Sequence, residues 1–413
     1  MKIEKEYLQL TLPSGFECIV GVLITMTDTF MVSKFGSSTI ATVGAMGVVI
    51  DFMYLVLQSI TISNNVLVGN LLGKKDTEKM KLTTGTSLLI AIFSSLICIL
   101  LVFSISGILP NLFMVEKSGL IYLYVRLIGV IPNTVLCILS GYQRTLGHSK
   151  RMLNIRLVCF VLNALLDFIF VYLGYGIIGV AIATVIVETI NMSILIYYCK
   201  NVITVKLDKT IAKEELVLIK YNIYERVFKR GSNFALNVIM SRIGTIQYAA
   251  HLIVTQFIGL INNFFHGTGI GTQTMIATAI GSEDVERLSS TKKVINTLNR
   301  KIVFIITFII GILMVTLLSS FLIEKESLIV GYKLLIFVLI DCALSGFYHH
   351  YSSILRAMKE FKYISKLSLL INVILKLTLA FALSRLCGIY GVWICFIISD
   401  YIMNTFLYKK IDS

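Results

Sequence analysis

The chain alternates between long apolar runs and short polar connections. A helix needs about 20 mostly apolar residues to cross a bilayer, and twelve runs reach that length. They cover roughly residues 10–32, 39–68, 83–109, 119–143, 152–172, 177–199, 218–240, 249–280, 302–323, 328–355, 363–384 and 389–408. The runs contain no strand-like alternation of polar and apolar residues, which disfavours a membrane barrel. The sequence therefore predicts an all-α polytopic membrane protein with twelve transmembrane helices.

Composition agrees with a membrane location. Of the 413 residues, 56% are hydrophobic and 15% are charged, and the mean hydropathy is +0.86. A soluble protein of this size could not bury so much apolar surface. The first ten residues are polar and no small-residue cleavage site follows them, so we expect no cleavable signal peptide. The eight cysteines form no C-x-x-C pair, and we interpret them as small buried side chains.

The basic residues are distributed unevenly between the two sides of the predicted bundle. Of the 37 lysines and arginines, 28 lie in the termini and the even-numbered connections, and 6 lie in the odd-numbered ones. Cytoplasmic loops carry the excess of positive charge in membrane proteins. We therefore expect a multi-pass protein of the plasma membrane with both termini in the cytoplasm. The net charge of +14 is then a topology signal, and we expect no nucleic-acid partner.

The two halves of the sequence resemble each other. The segment SKFGSSTIA at Ser33 matches SRIGTIQYA at Ser241, 208 positions later. The segment GIIGVAIATVIVE at Gly176 matches GIYGVWICFIISD at Gly388, 212 positions later. Six helices per repeat is an even number, so both halves have the same orientation in the membrane. Substrate sites in such folds lie near the middle of the membrane, at the interface of the repeats.

The longest polar connection separates these repeats. We predict an N-terminal six-helix bundle at residues 1–199, a cytoplasmic linker at 200–217 and a C-terminal six-helix bundle at 218–413.

Polar residues inside the N-terminal runs mark a candidate ion site. Asn163 and Asp167 are four residues apart and share one face of the fifth run. Thr184 lies in the sixth run, and Asp28 ends the first. An ionised aspartate at bilayer depth costs at least ~2.5–3.5 kcal/mol, so it is normally retained for function. Carboxylate, amide and hydroxyl oxygens suit a small hard cation or a proton.

Each of these residues has a structural alternative. Asp167 could be protonated and only tie helices together, while Asp28 could be solvated at the outer interface. Thr184 alone fits ordinary helix packing. Pro13 either removes a helix hydrogen bond or sits in the first turn, and in both cases the first helix can bend there.

Of the further acids in the apolar runs or at their ends, three are candidates for a role. Glu188 is a candidate partner of a buried base such as Arg126 or Arg156. Glu225 is either a functional acid or a member of a salt bridge near the start of the seventh run. Asp341 is a further candidate in the C-terminal half.

Enzyme and cofactor motifs find little support. The segment GNLLGKKD at Gly69 fails the spacing of a phosphate-binding loop, and no H-E-x-x-H or paired-cysteine set occurs. We therefore expect no enzyme activity, no cofactor and no metal other than a coupling ion.

The chain resembles the MATE (multidrug and toxic compound extrusion) family along almost its whole length. The similar segments are MTDTFMVSKFG at Met26, VGNLLGKKD at Val68, SGYQRTLGHSKRMLNI at Ser140, NALLD at Asn163, GVAIAT at Gly179, SRIGTIQYAAH at Ser241 and ILRAMKEFKY at Ile354. The resemblance implies two six-helix bundles and export of organic, often cationic, compounds in exchange for H+ or Na+.

The resemblance also implies roles for individual residues. Asp28, Asn163, Asp167 and Thr184 match a cation or proton site of the N-terminal bundle, which could hold Na+, and Pro13 matches a helix hinge. Glu225 lies near the position of a helix-seven acid, while Ser345, one turn from Asp341, stands where some members have a helix-ten acid.

We expect a monomer in the lipid bilayer that binds a small drug-like or toxic organic substrate. Two alternatives are a lipid-linked glycan flippase of the same superfamily and an intramembrane enzyme. The flippase would need a strongly cationic cavity, for which Arg126, Arg156 and Lys376 are the candidate bases.

Overall fold

The computed structural model describes residues 2–113, 118–200, 203–321 and 325–412, which form helices joined by short connections. The first half contains α1 (Lys2–Ser33), α2 (Ser37–Gly73), α3 (Thr77–Ile105), α4 (Leu109–Phe113), α5 (Ser118–Thr145), α6 (Ser149–Tyr172) and α7 (Gly176–Cys199). The second half contains α8 (Lys209–Ser241), α9 (Thr245–Gly281), α10 (Val285–Phe321), α11 (Lys325–Ala357), α12 (Phe361–Ser368) and α13 (Lys376–Asp412). Lys117, one of the six bases counted in the odd-numbered connections, lies outside the described residues, as do residues 201 and 202 of the predicted linker.

The described helices provide twelve membrane crossings, as predicted. Nine segments are long and apolar enough to span a bilayer by length and composition. The last of them, Phe361–Asp412, crosses twice because the backbone leaves helical geometry at Gly388. The remaining crossings are α8 and α9, which carry more polar residues. A π-helical turn, Leu369–Leu375, makes α12 continuous with the start of α13.

The chain forms two compact units. One comprises Phe16–Ile219, and the other combines Met1–Gly15 with Lys220–Ser413. In the first unit α5 packs against α2 and α7, and in the second α11 packs against α9 and α13. Helix α1 therefore divides between the units just after Pro13, and the connection predicted as a cytoplasmic linker at 200–217 belongs to the first unit.

Corresponding turns of the two halves share an uncommon backbone conformation. Lys75 after α2 and Glu283 after α9 are 208 positions apart and have φ angles of 59° and 57°. Gly147 after α5 and Lys359 after α11 are 212 positions apart and have φ angles of 88° and 62°. In each case the N–H group donates back to the last turn of the preceding helix, which satisfies a free carbonyl. The repeat predicted from sequence is thus confirmed in the backbone.

Glycines shape the last hairpin of each half. Gly176 and Gly388 have φ angles of 57° and 56°, which glycine adopts without steric penalty. A Cβ atom on Gly391 would lie 2.1 Å from the carbonyl oxygen of Leu383, and one on Gly179 would lie 2.7 Å from a side chain of α6. These glycines let the two final helices of each half approach closely.

Candidate functional site

The four residues of the predicted N-terminal site meet in the first unit. The Asn163 amide nitrogen donates to Asp28 Oδ1 and to Asp167 Oδ2, both at 2.8 Å. Thr184 Oγ1 lies 3.4 Å from Asp28 Oδ2 and 2.9 Å from the carbonyl oxygen of Val180. We call Asp28, Asn163, Asp167 and Thr184 the acid set. Of the two alternatives for Asp28, this geometry fits the one in which it belongs to the site, since one amide group bridges the two carboxylates.

Helix geometry explains how these side chains come together. Asn163 and Asp167 lie one turn apart on α6, so their side chains stack on one face. The turn at residues 173–175 reverses the chain, and the close approach at Gly179 brings Thr184 of α7 beside that face. Asp28 comes from the last two turns of α1.

The acid set is shielded from solvent. Asp167 and Asn163 are 0% and 1% exposed, while Asp28 is half-buried. Asp167 Oδ1 and Asn163 Oδ1 have no hydrogen-bond partner among the described residues. Two carboxylates that share one amide nitrogen repel each other strongly when both are ionised in a desolvated site. A proton or a small cation would relieve this repulsion and use the free oxygens.

An ion pair lies close to the acid set in the same unit, and its arginine, Arg126, interacts electrostatically with Asp28. Glu188 Oε2 is 3.9 Å from Arg126 Nη1, and Glu188 Oε1 accepts a hydrogen bond from Asn133 at 2.8 Å. Of the two candidate bases, the structure thus places Arg126 beside Glu188. Arg144 pairs with Glu17 at 2.7 Å in the same unit. These pairs compensate buried charge, which would otherwise be costly in a membrane.

Pro13 lies inside a continuous α1. Its ring has no N–H group, so the carbonyl of Gln9 loses its usual donor. The neighbouring hydroxyl groups of Thr11 and Ser14 donate to backbone carbonyls of the preceding turn at 2.7 Å. Bending of the helix at Pro13 stays a prediction.

Glu225 forms an ion pair in the second unit. Its Oε1 atom lies 2.7 Å from Arg356 Nη2 and accepts a hydrogen bond from Tyr348 at 2.6 Å. All three side chains are buried. Both of these partners are on α11, not on α8 beside Glu225. This geometry fits the salt-bridge alternative for Glu225.

Asp341 lines a cavity of about 320 Å³ in the second unit. Lys376 and Asp400, which pair at 2.9 Å, line the same cavity, as does Lys229, whose ammonium lies 4.0 Å from the centre of the Tyr348 ring. Two ammonium groups in this cavity disfavour a cation beside Asp341. Sequence inspection did not identify this cluster because its members come from three helices without a common spacing.

Ser345, which stands at the position of the helix-ten acid, lines this cavity as well. It donates a hydrogen bond to the side chain of Asn262.

The second unit has apolar residues where the first has the acid set. The positions corresponding to Asp28, Asn163, Asp167 and Thr184 are Leu236, Leu375, Leu379 and Phe396. Leu236 belongs to a buried apolar cluster, and Leu379 and Phe396 pack against it. The repeat therefore preserves the helices but not this chemistry.

Comparison with known proteins adds the family. The family model described as MatE matches residues 13–169 and 223–407. The probable multidrug resistance protein NorM of Thermotoga maritima is 23% identical over 61% of this chain, and the match spans 55% of its own length. The probable multidrug resistance protein YoeA of Bacillus subtilis is 26% identical over 83% of this chain and 80% of its own. The NorM protein of Mannheimia succiniciproducens is 22% identical over 99% of this chain and 94% of its own.

Solved structures share the fold. A mutant of the Vibrio cholerae MATE transporter VcmN superimposes with a TM-score of 0.92 at 16% identity, over 100% of this chain and 96% of the other. An outward-facing multidrug resistance MATE transporter superimposes with a TM-score of 0.90 at 18% identity, over 99% and 96% of the two chains.

Proposed function

The chain belongs to the MatE family, and we propose that it is a secondary active transporter that exports small organic compounds, often cationic, in exchange for H+ or Na+. The curated relatives named above carry the description of multidrug resistance proteins, which supports a drug-like substrate. We also propose that it acts as a monomer in the plasma membrane with both termini in the cytoplasm, as the distribution of basic residues favours.

The observation that carries the proposed coupling is the bridged pair of carboxylates. Asp28 and Asp167 are both 2.8 Å from one amide nitrogen, in a site with free buried oxygens. When no ion is present, the two negative charges repel each other across the α1–α6 contact. When a proton or Na+ binds, the helices can close around it. Binding of the ion therefore favours one conformation of α1. If the substrate binds better to a second conformation, exchange between the two provides alternating access.

Exchange then requires reciprocal coupling between ion and substrate. An ion that binds one conformation better must weaken binding of a substrate that prefers the other, by the same factor in both directions. A coupling free energy of ~1–3 kcal/mol is typical and would change affinity by roughly 5- to 150-fold.

The flippase alternative is less well supported by the structure. Two of the three candidate bases, Arg126 and Lys376, lie beside acids at 3.9 Å and 2.9 Å. A paired base attracts an anionic lipid-linked substrate much less than an unpaired one. These two paired bases therefore add little to a cationic surface.

The direct test is uptake of a fluorescent organic cation into inverted membrane vesicles. Separate arms impose a pH gradient or a Na+ gradient, which distinguishes the two coupling ions. We expect uptake in one arm for the native protein, and its loss in Asp167→Asn at equal expression. Glu78→Gln, which removes an exposed carboxylate of α3, is the matched control. Uptake that is independent of both gradients would refute ion exchange.

A further inference from the structure

The described part of the connection between the repeats, residues 203–208, is anchored to α3, and "the connection" below means these residues. A Cβ atom on Gly85 would lie 1.9 Å from the carbonyl oxygen of Thr204, so the connection runs directly against the helix backbone. Thr86 Oγ1 donates to the carbonyl of Lys206 at 3.0 Å and accepts from the N–H of Asp208 at 3.1 Å. A single hydroxyl group thus holds both sides of this short extended segment.

The same connection fixes the start of α8. Asp208 Oδ1 accepts hydrogen bonds from the backbone N–H groups of Thr210 and Ile211, at 2.9 Å and 3.0 Å. This is helix N-capping by a carboxylate, which also interacts favourably with the helix dipole. With the start of the helix fixed, Glu215 falls on the same buried face as Ile211.

Glu215 is buried against α3 and is 0% exposed. Its Oε1 atom lies 2.7 Å from Ser87 Oγ, and its Oε2 atom has no partner among the described residues. Ser87 Oγ is also 3.1 Å from Asn64 Oδ1 and 3.0 Å from the carbonyl oxygen of Thr83. A hydroxyl group has one proton, yet three acceptor atoms surround this one. A protonated Glu215 supplies the missing hydrogen by donating to Ser87.

Among the residues that the structure describes, no charged side chain forms an ion pair with Glu215. Its polar neighbours, Ser87 of α3 and Asn64 of α2, are both neutral. Burial raises the pKa of Glu215 from its ordinary value to about 8, and the Ser87 hydrogen bond opposes this only in part. The charged residues of this region line a separate surface cavity of about 630 Å³, and they are Asp76, Glu78, Lys79, Lys206, Asp208 and Glu214.

We propose that Glu215 is a proton-binding site distinct from the acid set, and that its bound proton holds the connection between the repeats and the first turns of α8 against α3. The site lies in the first unit together with Ser87 and Asn64. Loss of the proton leaves a carboxylate with one unsatisfied oxygen in an apolar contact. The carboxylate then gains solvation by moving out, and the connection detaches with it. This inference does not depend on the proposed transport activity.

The sign of the pH effect follows from linkage. The pKa of Glu215 is higher when the segment is docked than when it is free in solvent. Docking is therefore fully supported below the ordinary pKa of a glutamate. As the pH rises towards about 8, the equilibrium constant for docking falls by up to about tenfold per pH unit. Above that pH it changes little.

Limited proteolysis in lipid nanodiscs tests the proposal. Lys206 and Lys209 are exposed and lie in or beside the docked segment, so trypsin cleavage there reports its release. Cleavage rates are measured from pH 6.5 to 9 for the native protein, Glu215→Gln and Glu214→Gln. At each pH, the cleavage rate of the native protein is divided by that of Glu215→Gln. This ratio removes the pH dependence of trypsin itself. Glu214 is exposed, so Glu214→Gln removes the same charge one residue away without touching the buried contact.

We expect the cleavage rate of the native protein, divided by that of Glu215→Gln, to rise by up to roughly 30-fold between pH 6.5 and 8 and then to level off. Glu214→Gln should follow the native curve. A ratio that is constant across this range would overturn the proposal, as would a flattened curve in Glu214→Gln. Infrared spectroscopy provides a second measurement: at pH 7 the C=O band of a protonated carboxylic acid should be weaker in Glu215→Gln than in the native protein. An unchanged band would equally overturn it.

Discussion

Lys376 donates a hydrogen bond to Asp400 at 2.9 Å, although the two residues stand in different segments of α13. They meet because the chain turns at Gly388. The ammonium also lies 5.1 Å from the centre of the Phe396 ring. The cavity of the second unit therefore already contains a cation of its own beside its acids.

Replacing the Lys376 ammonium by a neutral side chain should increase the affinity of this cavity for an organic cation from solution. In Lys376→Met the cavity retains Asp341, Asp400 and one lysine, so its formal charge falls by one. We expect an organic monocation such as tetraphenylphosphonium to bind at least about tenfold more tightly, which corresponds to about 1.4 kcal/mol. Trp393 is the single tryptophan and lines this cavity, so quenching of its fluorescence reports binding. The double variant Lys376→Met/Asp400→Asn should return to the native affinity, and equal affinity of all three proteins would contradict this account.

The two carboxylates of the acid set should act as a pair. Drug affinity is measured in detergent between pH 5 and 8, with and without Na+, for the native protein, Asp28→Asn and Asp167→Asn. We expect the native affinity to change with pH or Na+ by roughly 5- to 150-fold, and each variant to flatten that change. An asparagine keeps a similar volume but cannot ionise, so folding should be preserved. If both variants retain the native response, the coupling ion binds elsewhere.

The Glu225–Arg356 pair should contribute strongly to stability. Arg356→Gln removes the ion-pair partner of the buried Glu225 carboxylate, and breaking a buried pair in this way typically destabilises a protein by about 3–5 kcal/mol. A lowered thermal unfolding midpoint in detergent would show this. The double variant Glu225→Gln/Arg356→Gln removes both charges and should recover most of the loss. A double variant as unstable as Arg356→Gln would show that the arginine acts through packing instead.

Gly391→Ala should prevent close packing of the two segments of α13. Its Cβ atom would lie 2.1 Å from a backbone carbonyl oxygen, so the segments must separate. We expect little monodisperse protein on size-exclusion chromatography. Gly231→Ala is the control, because that exposed helical position has no atom within 4 Å of the added Cβ, and the substitution should stabilise the helix by about 0.5–1 kcal/mol. Equal yields of the two variants would contradict the packing argument.

A native cysteine offers a test of orientation. Cys387 is the exposed thiol among the eight free cysteines, and the charge distribution places it outside the cell. A membrane-impermeant maleimide should label intact cells expressing the native protein, and Cys387→Ser should remove the label. Lys206→Cys on the Cys387→Ser background should react only after the membranes are opened. Labelling of intact cells at position 206 would reverse the proposed topology.

The apolar runs predicted the helices well, but they missed helical ends that are not apolar. Helix α1 begins at Lys2 although its first residues include Glu4 and Lys5, and α8 begins at Lys209 rather than near residue 218. Both are amphipathic stretches, in which helical structure depends on packing of one face. Glu215 could have been found there, because it recurs with Ile211 and Ile219 at a spacing of four.

The candidate site was predictable where its residues are close in sequence. The spacing of four between Asn163 and Asp167 placed both on one face of α6. Whether Asp28 faces them or faces solvent depends on how α1 packs, and local sequence does not encode that. The same holds for Asp341 and Lys376, which only tertiary structure brings to one cavity.

In the second unit, leucines and a phenylalanine stand where the first unit has the acid set. Under the proposed exchange, this limits the free energy that the coupling ion can supply in one transport cycle. With the acid set present in one repeat only, its two carboxylates bind at most two protons. Exchange of one proton for one monovalent drug moves no net charge, so the pH gradient alone drives it. A second proton would add one net charge, and with it about 2.3 kcal/mol for every 100 mV of membrane potential. A fold that duplicated its helices but not its acid set thus limits the drug concentration ratio that exchange through this set can maintain.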